Sequence, residues 1–353
     1  MKQVQHKKRI LVAPLNWGLG HATRCIPIIN ALIAHHFEPI IASDGAALLL
    51  LKKEFPKLKA LELPSYDISY SKKANSFKLK MIIDSPRIIN TIHREKKFVD
   101  AMITSHKISG IISDNRFGVR HKEVPSIFLT HQLRVLSGNT TWLSSKLHQN
   151  IILKFNECWV PDYMGTSNLS GELGHVKGFE SSIKYIGPLS RFEKKDMPMT
   201  YDLLVILSGP EPQRTLLEEH LIKELKSCKG KVCFIKGIVE TEQQRTEFNN
   251  IAFYNFMTST QLETAINESK LILSRSGYTS IMDYAKLEKK AFLIPTPGQF
   301  EQEYLARKFK SENIAPYCEQ KKFRIEMLDE VKAYSGFKYS NSQTNYNNLF
   351  GPF

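Results

Sequence analysis

Four short segments carry residue types whose spacing suits chemistry on an oxygen-rich ligand. The first is Gly18-Leu19-Gly20-His21-Ala22-Thr23-Arg24. Its glycines permit a tight turn and close approach of backbone to a ligand, and a following helix offers free N–H groups to an anion. His21, where loop meets helix, has the chemistry to take a proton from a hydroxyl; a helix-capping histidine would read the same. The second segment is Ser274-Arg275-Ser276-Gly277-Tyr278-Thr279-Ser280. The Ser276 hydroxyl and the N–H groups from Gly277 onward would form an anion cradle, and Asp283 lies two turns on, able to reach a ribose. An ordinary N-cap with a surface aspartate fits those residues equally well. The third, Thr296-Pro297-Gly298-Gln299-Phe300-Glu301-Gln302, is dense in amide and carboxylate groups suited to sugar hydroxyls, and the fourth is Ser208-Gly209-Pro210-Glu211.

These segments do not complete a dinucleotide fingerprint. Thr23 stands at the third glycine position, and Ser43-Asp44 is the nearest candidate for a ribose-binding acid. No Asp-x-Asp pair and no clustered His/Cys/Glu spacing suggests a metal, and a Walker A loop, a Gly-x-Ser-x-Gly elbow and His-Glu-x-x-His are lacking. The expectation is a site with no metal and no cofactor.

The elements that must position these loops read as alternating short apolar runs and helical patterns. Strands are expected at Arg9–Leu15, Glu38–Ala42, Leu58–Leu61, Gly110–Ser113, Ser126–Leu129 and Glu157–Pro161. Helices are expected from about His21 to Ala34, near Ala46–Glu54 and at about Trp142–Phe155. The basic segment Ser69–Lys107 is mostly helical in pattern. A polar stretch, Gly187–Thr200, separates this from a second series with strands at Asp202–Leu207, Val232–Ile235, Ile251–Tyr254, Leu271–Leu273 and Ala291–Pro295. Strands that are apolar throughout and alternate with helices imply parallel βαβ units buried on both faces. Each glycine-containing loop then falls at the carboxyl end of a strand, where open α/β sheets bind ligands.

At 353 residues the chain exceeds what one core usually supports, so two domains are expected. The boundaries read as 1–190, 191–335 and a polar, aromatic tail 336–353. A hydrophobic fraction of 42% and a charged fraction of 24% are those of a globular protein. The net charge of +14 implies an anionic partner. With no basic arm carrying interleaved aromatics, a nucleic acid is not expected. Five cysteines without a CxxC pair suggest reduced thiols. The N-terminal apolar run is too short for a signal peptide, and no window reaches the ~20 apolar residues of a membrane span. The expected location is the cytoplasm, with at most peripheral contact at the inner membrane face.

Taken together, the four loops resemble those of the MurG type of GT-B glycosyltransferase (glycosyltransferase family 28). The resemblance is most specific over Asp202–Phe309, above all in LILSRSGYTSIMDYAKLEKKAFLIPTPGQFEQEYLA, and reaches the first half mainly through GLGHATR. It implies an α/β GT-B fold, two Rossmann-like doubly wound domains facing a central cleft, the first for the acceptor and the second for the donor. It implies that Ser276 and Gly277 hold the donor pyrophosphate, with Arg275, Ser208 and Gly209 nearby, and that Asp283 binds the ribose. Gln299, Glu301 and Gln302 would meet the donor sugar, and backbone near Phe256 and Met257 would read the uracil. On the acceptor side stand Gly18, Gly20, Asp114 and His131, with His21 as base. Three positions depart from the family pattern: Asp283 replaces a longer Glu, Leu305 replaces an Asn, and Thr130-His131-Gln132 lacks a Glu. The chain is therefore not read as the peptidoglycan enzyme.

The implied reaction is an inverting, metal-independent transfer of a hexose or N-acetylhexosamine from a UDP-sugar to a hydroxyl of a glycan or lipid-linked glycan in cell-envelope polysaccharide. A nucleotide-sugar epimerase would turn over donor alone. An NAD-dependent oxidoreductase fits less well, because the fingerprint fails. A non-catalytic sugar- or polyanion-binding protein would bind without needing His21. The basic segment Ser69–Lys107, together with Trp142, Leu143, Leu147, Ile151 and Ile152, suits an anionic membrane; a solvated basic face beside a core helix fits too.

Overall fold

In a computed structural model, described for residues 7–66, 77–179, 183–238, 240–338 and 345–353, the chain forms two compact units. The first runs through Leu189 and includes the last residues of the chain; the second begins at Ser190. Part of the basic segment, residues 69–76, and residues 339–344 of the tail lie outside the described residues.

The first unit is a seven-stranded, wholly parallel sheet. Its strands are β1 (Arg9–Pro14), β2 (Glu38–Ser43), β3 (Ala60–Glu62), β4 (Ile108–Asp114), β5 (Ser126–Leu129), β6 (Glu157–Val160) and β7 (Ile183–Tyr185), in the order β3-β2-β1-β4-β5-β6-β7. Ile10, Leu11, Val12 and Ala13 are all fully buried, so both faces of β1 are covered. That explains the unbroken apolar run, since a strand with one wet face would alternate. Helices α1 (Leu19–Ala34), α2 (Gly45–Glu54), α3 (Phe77–His106) and α4 (Thr141–Ile152) connect the strands. The order reverses beside β1 and β4, and such a switch point opens a crevice at the strands' carboxyl ends.

The second unit repeats the scheme with β8 (Tyr201–Ile206), β9 (Val232–Ile235), β10 (Arg245–Phe248), β11 (Ile251–Tyr254), β12 (Ser269–Ser274) and β13 (Ala291–Leu293), ordered β10-β11-β9-β8-β12-β13. All pairs are parallel except β10 with β11, a hairpin joined through Asn249-Asn250. Its helices are α5 (Gln213–Glu224), α6 (Ser259–Asn267), α7 (Tyr278–Lys286) and α8 (Phe300–Ser311). The start of α6 is local chemistry: Thr258 accepts from the Gln261 N–H while the Gln261 side chain returns to Thr258. Leu203, Val205, Leu217, Phe234, Leu273 and Phe292 are among the side chains that fill the core.

The end of the tail, which includes α9 (Tyr346–Leu349), packs on the first unit. Phe350 and Phe353 are buried, with ring centroids 5.7 Å and 6.3 Å from Phe37 and 6.4 Å and 6.2 Å from Trp159. Strands β7 and β10 are additions to the expected set. At three and four residues they are too short to show a period.

Candidate active site

In the first unit the loop after β1 turns into α1 through Gly18, whose φ of 81° suits glycine. Nothing lies within 4 Å of the point where a Cβ would sit, so the turn is open on that side. Asn16 steadies the loop, accepting from the Ala47 N–H (3.2 Å) and donating to Asp44 Oδ2 (3.2 Å). Three turns of sequence logic then meet at Asp114, the last residue of β4. Its carboxylate is fully buried and takes both prongs of the Arg24 guanidinium, Nε at 2.6 Å from Oδ2 and Nη2 on Oδ1. His21 Nδ1 lies 2.9 Å from Asp114 Oδ1 and 2.8 Å from Arg24 Nη2. Carrying a proton, Nδ1 donates to the carboxylate; without one, it accepts from the guanidinium. Arg24 Nη1 donates to His131 Nδ1 at 2.9 Å, because a guanidinium can only donate.

The charges follow from this packing. Burial pushes the Asp114 carboxyl up, but the Arg24 charge and His21 outweigh it and hold the group at about 2. Burial lowers His21 below the usual imidazole range; Asp114 opposes this and Arg24 reinforces it. His21 is thus a neutral imidazole at neutral pH beside a fixed carboxylate. Burial, with Asp114 adding to it, raises Cys25 well above the usual thiol range, so it takes no part as a thiolate. Gly18, His21, Asp114 and His131, far apart in sequence, therefore come to one end of the sheet, and Gly20 belongs to the first turn of α1. Sequence reasoning missed Arg24, although it closes the quoted GLGHATR segment. The signal was a cation one turn after His21 on the same helix face.

In the second unit the loops after β8, β12 and β13 lie side by side, because those strands are neighbours. The loops after β12 and β13 are stitched together. Ser276 Oγ donates to the Gln302 carbonyl (2.8 Å), Gln302 Oε1 accepts from the Thr296 N–H (2.9 Å), and Gln302 Nε2 donates to Gln299 Oε1 (2.5 Å). The Gly298 N–H reaches Glu303 Oε1 at 2.9 Å, an interaction the sequence reading did not anticipate. Gly277 opens α7 with no side-chain cap and with nothing near its Cβ position. Glu301 is half-buried in the first turn of α8, and Ser208 and Gly209 are exposed.

Three expectations are corrected by this geometry. Arg275 is turned inward, donating to the carbonyls of Ile294 (3.2 Å), Pro295 (3.2 Å) and Gln213 (2.9 Å) and to Gln320 Oε1 (2.8 Å). Burial lowers its pKa to about 9; it ties loops together rather than presenting charge to a donor. The single Ser276 proton is committed to α8, which leaves its oxygen only an acceptor toward anything else. At Phe256 the N–H is taken by Asn255 Oδ1 (2.9 Å) and the carbonyl by Gln243 Nε2 (2.7 Å), so its backbone is already engaged; Met257 follows it in the loop between β11 and α6. Asp283 is buried on α7 and accepts from Ser190 Oγ at 2.6 Å. Burial raises its pKa to about 6, against the Arg191 charge and the Ser190 hydrogen bond. Leu305, at the position of a family Asn, is fully buried in the core.

Residues 212–345 match the sequence pattern of the glycosyltransferase family 28 C-terminal domain. That match falls within the second half of the chain. MurG of Acinetobacter baumannii shares 14% identity and a TM-score of 0.55, over 98% of this chain and 100% of that one. The kitacinnamycin glycosyltransferase shares 12% and 0.62, over 92% and 90%. The spinosyn rhamnosyltransferase SpnG, solved with thymidine diphosphate, shares 12% and 0.58, over 93% of each chain. At these identities the likeness establishes the fold, which is GT-B across both units. No curated protein sequence matches the chain. The matched stretch contains Asp283 on α7 and Ser276, Gly277, Gln299 and Gln302, whose loops the structure brings together.

Proposed function

We propose that the protein is a glycosyltransferase that moves a hexose or N-acetylhexosamine from a UDP-sugar to a hydroxyl of a glycan or lipid-linked glycan. The observation that carries this reading is the start of α7 at Gly277, which has no side-chain cap, beside the Gln299–Gln302 pair and within the stretch that matches the family 28 C-terminal domain. The donor diphosphate sits against the α7 N-terminus, where the positive end of the helix dipole favours an anion. The sugar hydroxyls face Gln299, Glu301 and Gln302, and Asp283 takes the ribose.

On the acceptor side, His21 holds its proton on Nδ1 against Asp114 and takes the acceptor proton at Nε2. The acceptor oxygen bonds to the anomeric carbon from the face opposite the diphosphate, the C–O bond to the diphosphate breaks, and the configuration inverts. The imidazolium that forms is stabilised by the Asp114 carboxylate. No metal is needed when the leaving diphosphate is met by the α7 dipole. The cytoplasm is the proposed location. The exposed α4 side chains Trp142 (77%), Leu143 (51%) and Leu147 (57%), with Lys146 and Arg134 beside them, support peripheral contact with an anionic membrane holding the acceptor.

The test is release of nucleoside diphosphate from a panel of nucleotide sugars in EDTA, with and without lipid-linked and free glycan acceptors. Acceptor-dependent release that falls at least a hundredfold in His21→Ala supports the reading. Turnover of donor without acceptor would favour an epimerase, and binding with no turnover and no response to His21→Ala a binding protein.

A further inference from the structure

One buried polar group of the second unit has no partner where almost all its neighbours do. Thr296, in the loop after β13, is 2% exposed. Its backbone is fully engaged: the N–H donates to Gln302 Oε1 at 2.9 Å and the carbonyl accepts from the Gln299 N–H at 3.0 Å. Its hydroxyl oxygen is sealed from water and makes no hydrogen bond. A buried hydroxyl left so is destabilising, and native proteins keep few of them outside functional sites.

The hydroxyl faces a specific place. Gly209, in the loop after β8, is exposed and has a φ of 100°. A Cβ built there would have one atom within 4 Å, Thr296 Oγ1 at 3.5 Å. The face that a side chain would fill is therefore empty except for this hydroxyl. The space at Gly277, at the start of the nine-residue α7, is empty as well, and Ser276 ties that start to α8 beside Thr296. A side chain at Gly209 would be strained at this φ and would close the gap. The gap is too narrow for a ligand oxygen as it stands, so binding there requires the exposed Gly209 peptide to shift.

We infer that Thr296 is a binding residue of the donor site: its hydroxyl donates to an oxygen of the distal, sugar-bearing phosphoryl group, which enters between Gly209 and Thr296. The inference rests on the donor reading above. A hydroxyl is matched to an anionic oxygen by a charge-assisted hydrogen bond, stronger than one to a sugar hydroxyl. The distal phosphoryl is selected because Thr296 shares its loop with the Gln299–Gln302 pair proposed to meet the sugar, and Gln302 links it to Ser276 before the α7 start. The hydroxyl also explains the loop chemistry: Thr keeps a β-branched shape in the core while carrying a donor to the ligand.

The experiment compares Thr296→Val, which keeps the shape and removes the hydroxyl, with Thr296→Ser, which keeps the hydroxyl. Calorimetric titration of the full chain uses UDP, dTDP and GDP, each beside its monophosphate, and thermal unfolding is measured without ligand. Thr296→Val is expected to unfold at the same or a higher temperature, to bind the preferred diphosphate about tenfold more weakly, and to bind the monophosphate within twofold of wild type. Thr296→Ser is expected to bind the diphosphate within about threefold of wild type. Wild-type binding of a diphosphate with equal binding by Thr296→Val overturns the inference and leaves the donor reading standing. Equal weakening of monophosphate and diphosphate overturns the assignment to the distal phosphoryl. A lower unfolding temperature in Thr296→Val shows a structural hydroxyl and overturns it too. Wild-type protein that binds no nucleotide overturns the donor reading, and the inference with it.

Discussion

Replacing Asp283 by Asn should make the second unit more stable at neutral pH, and less so as the solution is acidified. The carboxyl is 8% exposed on α7 and accepts from Ser190 Oγ, and burial lifts its pKa from 3.8 to about 6. A folded-state pKa above the unfolded one means that the native state favours the protonated acid. Its stabilising contribution is full below pH 4 and is lost as the pH rises through about 6. At pH 7.5 the native state holds an ionised carboxylate in a poor setting, at a cost of about 3 kcal/mol on the scale of 1.36 kcal/mol per decade. Asn has nearly the same shape, offers Oδ1 to Ser190 and carries no charge. Asp283→Asn should therefore exceed wild type by about 2–3 kcal/mol at pH 7.5 and by only about 1 kcal/mol at pH 4.5. Urea unfolding followed by circular dichroism at both pH values, with the midpoint read at equal slope, measures the difference. Because the comparison is between variants, titration of other groups cancels. An Asp283→Asn protein less stable than wild type at pH 7.5, or a difference that does not shrink on acidification, would refute the reasoning. Binding is a separate readout: if the ionised carboxylate serves the ribose, the more stable variant should bind UDP more weakly.

Other consequences follow from the same packing. Asp114 is held at about 2 by Arg24 and His21, so its contribution is present above pH 4 and lost as the pH falls toward 2. Asp114→Asn leaves the buried Arg24 without its carboxylate and should lower stability at pH 7 by about 3–5 kcal/mol, a gap that narrows on acidification; a loss under 1 kcal/mol in urea titration would contradict this. Gly110→Ala puts a Cβ 2.3 Å from Phe353 Cδ1 and should expel that ring, at about 2–3 kcal/mol and with faster proteolysis of the C-terminal end; removing Phe353 as well should cost little more. Trp142→Asp combined with Lys146→Glu should at least halve sedimentation with phosphatidylglycerol vesicles while leaving the unfolding temperature within 2 °C, and undiminished binding would assign α4 to an ordinary exposed face.

The local rules of the chain settled which segments become strands and helices. Arg9–Pro14, Glu38–Ser43 and Val232–Ile235 are mostly apolar runs buried on both faces, Ile251–Tyr254 is an apolar run buried in its first half, and their lengths and punctuation were readable without any partner. Gly18 and Gly277 before α1 and α7 were readable too, because a turn into a helix restricts residue choice locally. Only the tertiary structure decided where long polar side chains go. Arg275 looked like charge for a ligand and is bound to carbonyls of two other elements; Ser276 looked like a phosphate donor and bonds Gln302. Asp283 meets Ser190, Asp114 meets His21 and Arg24, and the Thr296 hydroxyl is left facing Gly209. Secondary structure depends on neighbours a few residues away, which sequence spacing displays. A buried hydrogen bond depends on which strand ends adjoin, and that order, β8 beside β12 and β1 beside β4, comes from packing whole sheets rather than from any one segment.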